Sequence, residues 1–346
     1  MSNLVTITID GQTFKFWENL KMTESIDSIR TFEFTAPFDP DNSALVDLFK
    51  PMRFRSVEIK IDEEIELTGR LVSPDSSVQI PKGILVTGYS EPGMMGDSPI
   101  PATEFPIEYN DQTLRQIAET ISSFYSIEID YKSTEAVQFD RVAAEPGKKG
   151  LDFLIELAND RGLIISDDSI GKLVFKQAST DKKSVANFRE GESPVLSIIP
   201  DFNPQNFYTS ITGLAPGIIG GEFESVTIEN QAIPSDQPDN RPFVYKVQNE
   251  LFGADLQKEV KGKAGRMFSS TISLEIIIAG WRNKDDELIR TDQYINVLAP
   301  SAMIYTETLF LIKDIERSRS DKDELTIKAV LPGSFTGEIP TSLPWD

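Results

Sequence analysis

The chain has 346 residues, a formal net charge of −21, and neither cysteine nor histidine. The lack of cysteine excludes disulfide bonds, thiolate metal sites and cysteine nucleophiles, and the lack of histidine removes the commonest general base and transition-metal ligand. The length predicts two to four compact units, and the acidic balance argues against a nucleic-acid-binding surface and against an anionic membrane surface as a partner.

The excess of negative charge has two interpretations. A well-solvated acidic surface that aids solubility is the favoured one, because a net charge far from zero keeps proteins dispersed. In the other interpretation, the charge lines a surface past which a second polyanion must move without sticking. The composition, with 39% hydrophobic and 26% charged residues, is that of an ordinary globular protein and leaves both open.

No stretch of the sequence has the pattern of a membrane span or of an export signal. The longest apolar run, Ile276–Ala279 with its neighbours, is far short of the roughly 20 residues that a spanning helix needs. The N-terminal MSNLVTITID has neither a basic region nor an apolar core. We therefore expect no Sec-type export and no membrane insertion.

The first ninety residues alternate apolar and polar side chains in short runs, as half-buried strands do. The strongest hairpin signal is Asp10-Gly11, and the acidic turn Asp62–Glu64 marks a second hairpin. Strands are predicted over Leu4–Ile9, Thr13–Trp17, Ser28–Thr35, Val57–Ile61, Glu66–Val72 and Ile84–Tyr89, with one helical turn over Leu45–Phe49. This region predicts a small antiparallel barrel or sandwich.

Residues 97–178 change to a helical period and predict an α+β unit. Pro92–Pro106, rich in proline, glycine and methionine, indicates a loop or linker before it. Asp111 is placed to cap a first helix, whose apolar stripe is Leu114, Ile117, Ala118, Ile121 and Phe124. A short strand is predicted over Ile127–Ile129. Leu151–Phe175 then predicts a second helix, a stop at Gly162 and a tight β-hairpin.

The remainder of the chain returns to β structure. Strands are predicted over Val195–Pro200, Tyr208–Leu214, Glu224–Glu229, Thr271–Trp281, Tyr294–Val297, Leu309–Arg317 and Leu325–Leu331. Ala215–Gly221 indicates a glycine-rich turn, Pro234–Pro242 an exposed loop, and Leu256–Phe268 a helix that Gly262 and Gly265 weaken. Gly333–Asp346 is predicted to be a tail with little to bury.

Three acidic clusters at predicted turns are the candidates for catalysis or for calcium. They are Asp62-Glu63-Glu64-Glu66, Asp167-Asp168 and Asp285-Asp286-Glu287. A glycosidase needs two carboxyl groups held roughly 5–10 Å apart across a cleft, one with a raised pKa, and these runs show no such pair. They also lack the EF-hand spacing. We therefore expect solvated turns, with no catalytic residue and no metal site.

Two other features have a structural and a functional interpretation. Gly147-Lys148-Lys149-Gly150 precedes a helix whose N–H groups suit an anion, but it lacks the P-loop pattern, so a simple turn is favoured. Phe202, Phe207 and Tyr208, around Pro204, are favoured as core residues, with interface anchors as the alternative. No G-x-S-x-G elbow is present, and a serine nucleophile would have no histidine to activate it. The sequence predicts a non-enzymatic protein without a cofactor.

The helix and hairpin of Leu151–Phe175 belong to a series of landmarks in consistent order. The others are Thr113–Ile121, Asn187–Ser197, Tyr208–Leu214, Arg241-Pro242-Phe243, Ala264-Gly265-Arg266, Ala279-Gly280-Trp281-Arg282, Phe310–Ile315 and Leu325–Pro332. Together they resemble the central baseplate hub proteins of contractile-tailed phages. This is the Mu-like tail protein and late-control D family, which also resembles the hub part of type VI secretion spike proteins. Glu91–Pro101 and the hairpin tip Ser320–Asp323 depart from the family pattern.

The resemblance implies a β-rich α+β fold, in which two small antiparallel β-barrel domains carry inserted α+β domains and three chains form a pseudo-sixfold ring. The expected divisions are a first barrel over 1–96, an α+β domain over 97–178, a second barrel over 179–235 and 290–335, an inserted α+β domain over 236–289, and a tail over 336–346.

The resemblance also implies a function and partners. Such a homotrimer is a structural baseplate hub in the virion tail, which adapts a sixfold tail tube to a threefold central spike and leaves a channel for DNA. Three chains of charge −21 would give the ring a charge of −63, and an acidic channel wall would repel DNA without binding it. The alternative is an acidic carbohydrate-active or receptor-binding tail protein with paired carboxylates or calcium in a cleft.

Overall fold

The structure, a computed structural model, describes residues 3–77, 83–215, 224–233, 240–247 and 253–345. It is β-rich with few helices, which confirms the α+β class. The chain divides into two compact units, and each of them is built from three separate segments. The first unit is Met1–Ile155, Ile165–Lys176 and Ile315–Leu325, and the second is Glu156–Ile164, Gln177–Asp314 and Thr326–Asp346. Among the helices that the structure describes, none has the length and the apolar character that crossing a bilayer requires.

Seven strands of the first unit form one antiparallel path in the order β3-β4-β7-β6-β5-β1-β2. The strands are β1 (Val5–Ile9), β2 (Gln12–Phe14), β3 (Glu18–Ser25), β4 (Thr31–Pro37), β5 (Ser56–Ile61), β6 (Glu64–Ser77) and β7 (Gly83–Ser90), with helix α1 (Ser43–Leu48) between β4 and β5. The predicted antiparallel β region is therefore confirmed. The path is open in the described residues, and the three-residue strand β2 ends it.

Local sequence explains the first hairpin of this sheet. Asp10 and Gly11 both have positive φ, 47° and 77°, which is the backbone of a type I′ turn and matches the twist of the flanking strands. The Asp10 carboxylate pairs with Arg55 and accepts a hydrogen bond from the Ser56 N–H, at 3.0 Å. In β1, Ile7 and the other odd-numbered residues point into the core, as the alternation predicts.

Residues 93–176 form the α+β part of the chain. Its elements are α2 (Gly93–Asp97), β8 (Ile107–Thr113), α3 (Leu114–Ser123), β9 (Ile129–Tyr131), β10 (Gln138–Ala144), α4 (Gly150–Asp160), β11 (Ile164–Asp167) and β12 (Leu173–Lys176). β8 pairs with β10, and β11, β12 and β9 form a three-stranded sheet in which β12 and β9 are parallel. The predicted helix, glycine stop and hairpin of Leu151–Phe175 are confirmed, with Gly162 at φ 65°.

Three predictions in this part were wrong in detail. Thr113, and not Asp111, caps α3: its hydroxyl accepts from the Gln116 N–H, while the Gln116 side chain accepts from the Thr113 N–H in a capping box. Pro92–Pro106 is not simply a loop, because it contains α2 and a 3-10 turn over Ala102–Glu104. The strand predicted over Ile127–Ile129 begins only at Ile129, since Ser126 takes a left-handed turn with φ 59°.

The second unit contains a sheet in the order β14-β18-β21-β20-β19-β13. Its elements in chain order are β13 (Ser184–Arg189), β14 (Val195–Phe202), β15 (Ser210–Leu214), β16 (Ser225–Glu229), β17 (Pro242–Lys246), α5 (Gly253–Ser269), β18 (Ile272–Ala279), β19 (Tyr294–Ala299), β20 (Ile304–Arg319), β21 (Asp323–Val330) and α6 (Gly333–Thr336). The strand β13 was not predicted. The glycine-rich turn lies, from residue 216 on, outside the described residues, as do residues 234–239 of the predicted loop.

Helix α5 covers a small sheet of β16, β15 and β17 and is longer than predicted. Leu256, Val260, Ala264 and Phe268 form its buried stripe. Gly265, which was expected to weaken the helix, faces α6: a methyl group there would lie 2.5 Å from the Gly337 Cα atom. The glycine therefore costs helix propensity but allows two helices to pack backbone to backbone.

The C-terminal segment is packed, which corrects the prediction of a tail with little to bury. Leu343 is buried, and the Trp345 ring meets the Phe202 ring edge-on at 5.2 Å between centroids. The Pro344 carbonyl accepts a hydrogen bond from the Tyr305 N–H at 3.3 Å. Isolated apolar residues in a proline-rich stretch gave no periodicity from which this packing could be predicted.

Candidate functional sites

The predicted acidic clusters are only partly solvated turns. Asp285, Asp286 and Glu287 are exposed at the tip of a turn, as are Asp62, Glu63 and Glu64 between β5 and β6. Glu66 and Asp167, by contrast, are buried, so the prediction that they are solvated was wrong. In the described ranges, no group of three or more carboxylates is placed to hold a metal ion.

Glu66 and Asp167 belong to a buried ionic network in the first unit, formed by Glu24, Arg30, Glu66, Asp167 and Arg317. The Arg317 guanidinium is 3.3 Å from the Glu24 carboxylate and 3.9 Å from that of Glu66. The Arg30 guanidinium is 3.6 Å from the other oxygen of Glu24 and 3.5 Å from Asp167. Three carboxylates and two guanidinium groups thus share one dry region.

The network links parts of the chain that are far apart in sequence. Glu24 ends β3, Glu66 lies in β6, Arg317 lies in β20 and Asp167 ends β11. Arg30 contacts Asp167 in three ways: its N–H donates to the Oδ1 atom at 3.2 Å, its Nη1 donates to the main-chain carbonyl at 2.7 Å, and the ion pair adds to these. The hairpin of Leu151–Phe175 is therefore joined to the N-terminal sheet by charge.

Asp167 is the electrostatically strained member of the network. Burial raises the pKa of its carboxyl group to about 6, and the negative charge of Glu24 acts in the same direction. Arg30 offsets only part of this, because the short contact of its guanidinium is with the main-chain carbonyl and not with the carboxylate. A carboxyl with such a pKa resembles a catalytic group. Its described ionic partner, however, is Arg30, whose guanidinium also pairs with Glu24.

The second unit contains a groove of about 780 Å³, here called the aromatic groove. Its lining residues are Phe202, Asn203, Pro204, Phe207, Arg241, Thr271, Ile272, Met303, Tyr305, Leu343 and Trp345. Phe202 and Phe207 are half-buried and line this groove, so the prediction that they belong to the core was wrong. Tyr208 is also half-buried and lies behind Arg241.

Arg241 is held in a fixed orientation at the rim of the aromatic groove. Its guanidinium donates to the carbonyls of Pro204 and Gln205, at 2.9 and 3.0 Å, and lies 5.6 Å from the centre of the Tyr208 ring. Its backbone is paired with that of Thr209. Sequence reasoning identified Arg241 only as a landmark of resemblance, since nothing local predicts its contact with Pro204.

The turn Gly147–Gly150 has the structural role that the sequence favoured. Gly147 takes a positive φ of 92°, and the Lys148 carbonyl accepts from the Ile100 N–H at 2.9 Å. Gly150 packs against Tyr125, because a methyl group at this glycine would lie 2.8 Å from the ring. Gly147 therefore supplies the left-handed backbone of the turn, and Gly150 allows close packing at the start of α4.

Comparison with known proteins finds similarity to baseplate hub proteins in sequence and to phage tail proteins in fold. A family model described as "Baseplate hub protein gp44-like, second domain" matches residues 94–177. Baseplate hub protein gp44 of Escherichia phage Mu is 23% identical over 341 residues, which cover 96% of this chain and 88% of that protein.

Two solved structures share the fold over nearly the whole of both chains. The 43 kDa tail protein of prophage MuSo2 from Shewanella oneidensis has a TM-score of 0.79 and 20% identity, over 96% of this chain and 99% of that one. A tail protein from Neisseria meningitidis MC58 has the same TM-score and 17% identity, over 98% and 99%. A type VI secretion component from E. coli, c3393, has a TM-score of 0.59 and 13% identity, over 96% and 79%. This chain is therefore similar to the baseplate hub protein of phage Mu over nearly its whole length, and its residues 94–177 match the gp44-like second domain of such hub proteins.

Proposed function

We propose that this protein is the structural hub of the baseplate in a contractile phage tail or a related injection device. The observation that carries the proposal is the similarity to the Mu hub protein over 96% of the chain, in which the ordered landmarks of the sequence all lie. The fold shared with prophage tail proteins at a TM-score of 0.79 supports it independently. The working location is the baseplate of the virion tail.

The assembled form that we propose is a homotrimeric ring. Each chain of this ring contributes two barrel-like modules, which alternate around it: an N-terminal β domain over 1–96 and a second β domain over 179–235 and 290–335. The inserted domains are 97–178 and 236–289. Two sets of mainly antiparallel strands, one for the most part in each compact unit, support this arrangement. Such a ring would join a sixfold tube to a threefold spike, because each chain presents two similar modules.

The proposed role is not catalytic. A hub acts through the shape and charge of its assembled surface, and the buried ionic network fits this because its carboxylates meet guanidinium groups of the same unit. The net charge of −21 per chain supports a channel wall that DNA crosses without specific binding, since like charges repel. Neutralising acidic residues of the channel wall should then slow DNA ejection without preventing tail assembly.

Coexpression with candidate tail-tube and central spike proteins tests this function. We expect the chain to copurify with both proteins. The copies of this chain in the complex should together have a mass near three times 38.6 kDa, about 116 kDa. A chain that binds neither protein and instead binds a glycan receptor would contradict the hub role and favour the receptor-binding alternative.

A further inference from the structure

We propose that the aromatic groove is the seat of an extended segment of a partner protein in the baseplate, and that this segment carries large apolar side chains and a carboxylate. This inference rests on the proposed function, since it describes the chemistry of one contact that a hub makes. It begins from the composition of the groove: aromatic residues, methionine and arginine are the residue types enriched in protein interfaces, and tryptophan, tyrosine and arginine dominate binding energy there.

The groove remains open although the C-terminal segment lies along it. Met303 and Tyr305 are 54% and 57% exposed, and Trp345 is 37% exposed, with the segment in place. About 780 Å³ of space is left, within the range of pockets that bury most of a ligand of several hundred daltons. Large apolar side chains that stay exposed around such a space lose their contact with water when a partner covers them.

The chain's own C-terminal segment shows what this surface accepts. Trp345 lies edge-on against Phe202, and the Pro344 carbonyl accepts from the Tyr305 N–H. A short segment with an aromatic side chain and one main-chain hydrogen bond is thus already held on this wall. The space that remains is lined by aromatic and apolar side chains of the same kind, so a segment of a partner protein would find similar contacts beside it.

Charge complementarity is the reason for proposing a carboxylate in the partner segment. Among the described lining residues, Arg241 is the one that carries a charge, and it is an exposed cation on a chain of net charge −21. No described carboxylate lies within 4.0 Å of its guanidinium in an ion pair. Two carbonyls and the Tyr208 ring orient the guanidinium, so little side-chain freedom is lost when it pairs with an acidic group of the partner.

Site-specific photocrosslinking in the assembled complex tests the proposal. The photoreactive residue p-benzoylphenylalanine replaces Tyr305 in the full chain, which is coexpressed with candidate tail-tube and central spike proteins. The matched control carries the same residue at Phe16, which is 71% exposed and lies in the first unit. We expect position 305 to crosslink to a tube or spike segment that contains large apolar residues and an Asp, a Glu or a terminal carboxylate, while position 16 does not reach that segment.

Charge reversal at the rim provides the second arm. Arg241→Glu should weaken the complex about tenfold or more and Arg241→Gln less, whereas Arg115→Glu on the exposed face of α3 should leave it unchanged. Because Arg241 also orients its own loop, Phe207→Ala serves as an independent groove variant, and thermal unfolding of each variant checks that the fold is kept.

The outcomes separate the two proposals. If the complex forms but position 305 crosslinks to nothing, to a polar segment, or only to another copy of this chain, the groove proposal is overturned and the hub function stands. If Arg241→Glu and Phe207→Ala both fold and bind as the unaltered chain does, the groove proposal is likewise overturned. If the unaltered chain assembles with neither protein, both proposals fail together.

Discussion

At the scale of single residues, the buried carboxylate of Asp167 gives the protein a pH dependence that its surface charges do not. The pKa of Asp167 is about 6 in the folded chain and about 4 in an unfolded one. The folded state therefore binds more protons between these values, and the free energy of unfolding falls as the pH rises through that window. The full effect is about 3 kcal/mol, reached above pH 7.

Asp167→Asn should remove this cost while keeping an oxygen that accepts from the Arg30 N–H. The variant should be more stable than the parent chain by about 1–3 kcal/mol at pH 8. At pH 5.2 this gain in stability should be smaller by about 1 kcal/mol. Urea unfolding at several pH values above the isoelectric point near 4.5 measures both numbers. A difference that does not change with pH, or a variant less stable at pH 8, would contradict the burial of a charged Asp167.

Arg317 should be the most sensitive position of the ionic network. It is 2% exposed and contacts Glu24 and Glu66, so Arg317→Met withdraws a cation from two buried carboxylates. The expected loss is about 3–5 kcal/mol in the free energy of unfolding. The matched control is Arg189→Met, whose partner Glu307 is as exposed as Arg189 itself, and where the loss should stay below about 1 kcal/mol. Equal losses at the two sites in urea unfolding would show that the buried network stabilises the fold no more than an exposed ion pair does.

Residue-level features were the least predictable from the sequence. The Asp10-Gly11 hairpin and the buried stripe of α3 were read correctly, because turn chemistry and periodicity are local signals. Glu66 and Asp167 were assigned to solvated turns because the groups that surround them, Arg317 and Arg30, lie far away in the chain. The groove was missed for the same reason, since Trp345 contacts Phe202 although the two residues are 143 positions apart in the sequence.

At the scale of elements, the packing of α5 against α6 reverses the usual rule for glycine in a helix. Gly262 and Gly265 are one turn apart, yet only Gly265 has a backbone neighbour where its side chain would be: 2.5 Å from the Gly337 Cα atom and 2.6 Å from the Gly333 oxygen. An added methyl group has open space at Gly262. The two positions therefore form a matched pair with opposite expected signs.

Gly262→Ala should stabilise the second unit by about 0.5–1 kcal/mol, because alanine loses less backbone entropy than glycine in a helix. Gly265→Ala should destabilise it by about 1–3 kcal/mol, because α6 must move away. Thermal or urea unfolding of both variants measures the two changes. If alanine stabilises the chain at both positions, α5 and α6 do not approach as closely as the structure has them.

At the scale of the whole molecule, local pattern predicted the β-rich α+β class, and the ordered landmarks predicted the family. The way the chain returns on itself was not predictable, since neither the parallel pairing of β13 with β19 nor the inclusion of residues 315–325 in the first unit leaves a local signal. A chain ending at residue 314 should therefore lose the protease resistance of residues 3–77, whereas a chain ending at residue 337 keeps it. Limited proteolysis followed by mass spectrometry decides between the two, and equal resistance would contradict this division of the chain.

The return of residues 315–325 also sets the order of events during protein synthesis. Asn3 donates a 2.9 Å hydrogen bond to Asp323, which lies 320 positions later in the chain, and the Glu24 carboxylate accepts a hydrogen bond from Arg317. Roughly 160 residues lie between the main part of the first unit and this returning segment, which the ribosome needs about 10–30 s to add. Throughout that time the N-terminal sheet stays incomplete on the nascent chain, because the carboxylates of Glu24 and Glu66 still lack the guanidinium group of Arg317. The first unit therefore cannot be completed before residues 315–325 have been synthesised, which makes its folding wait for most of the second unit's sequence.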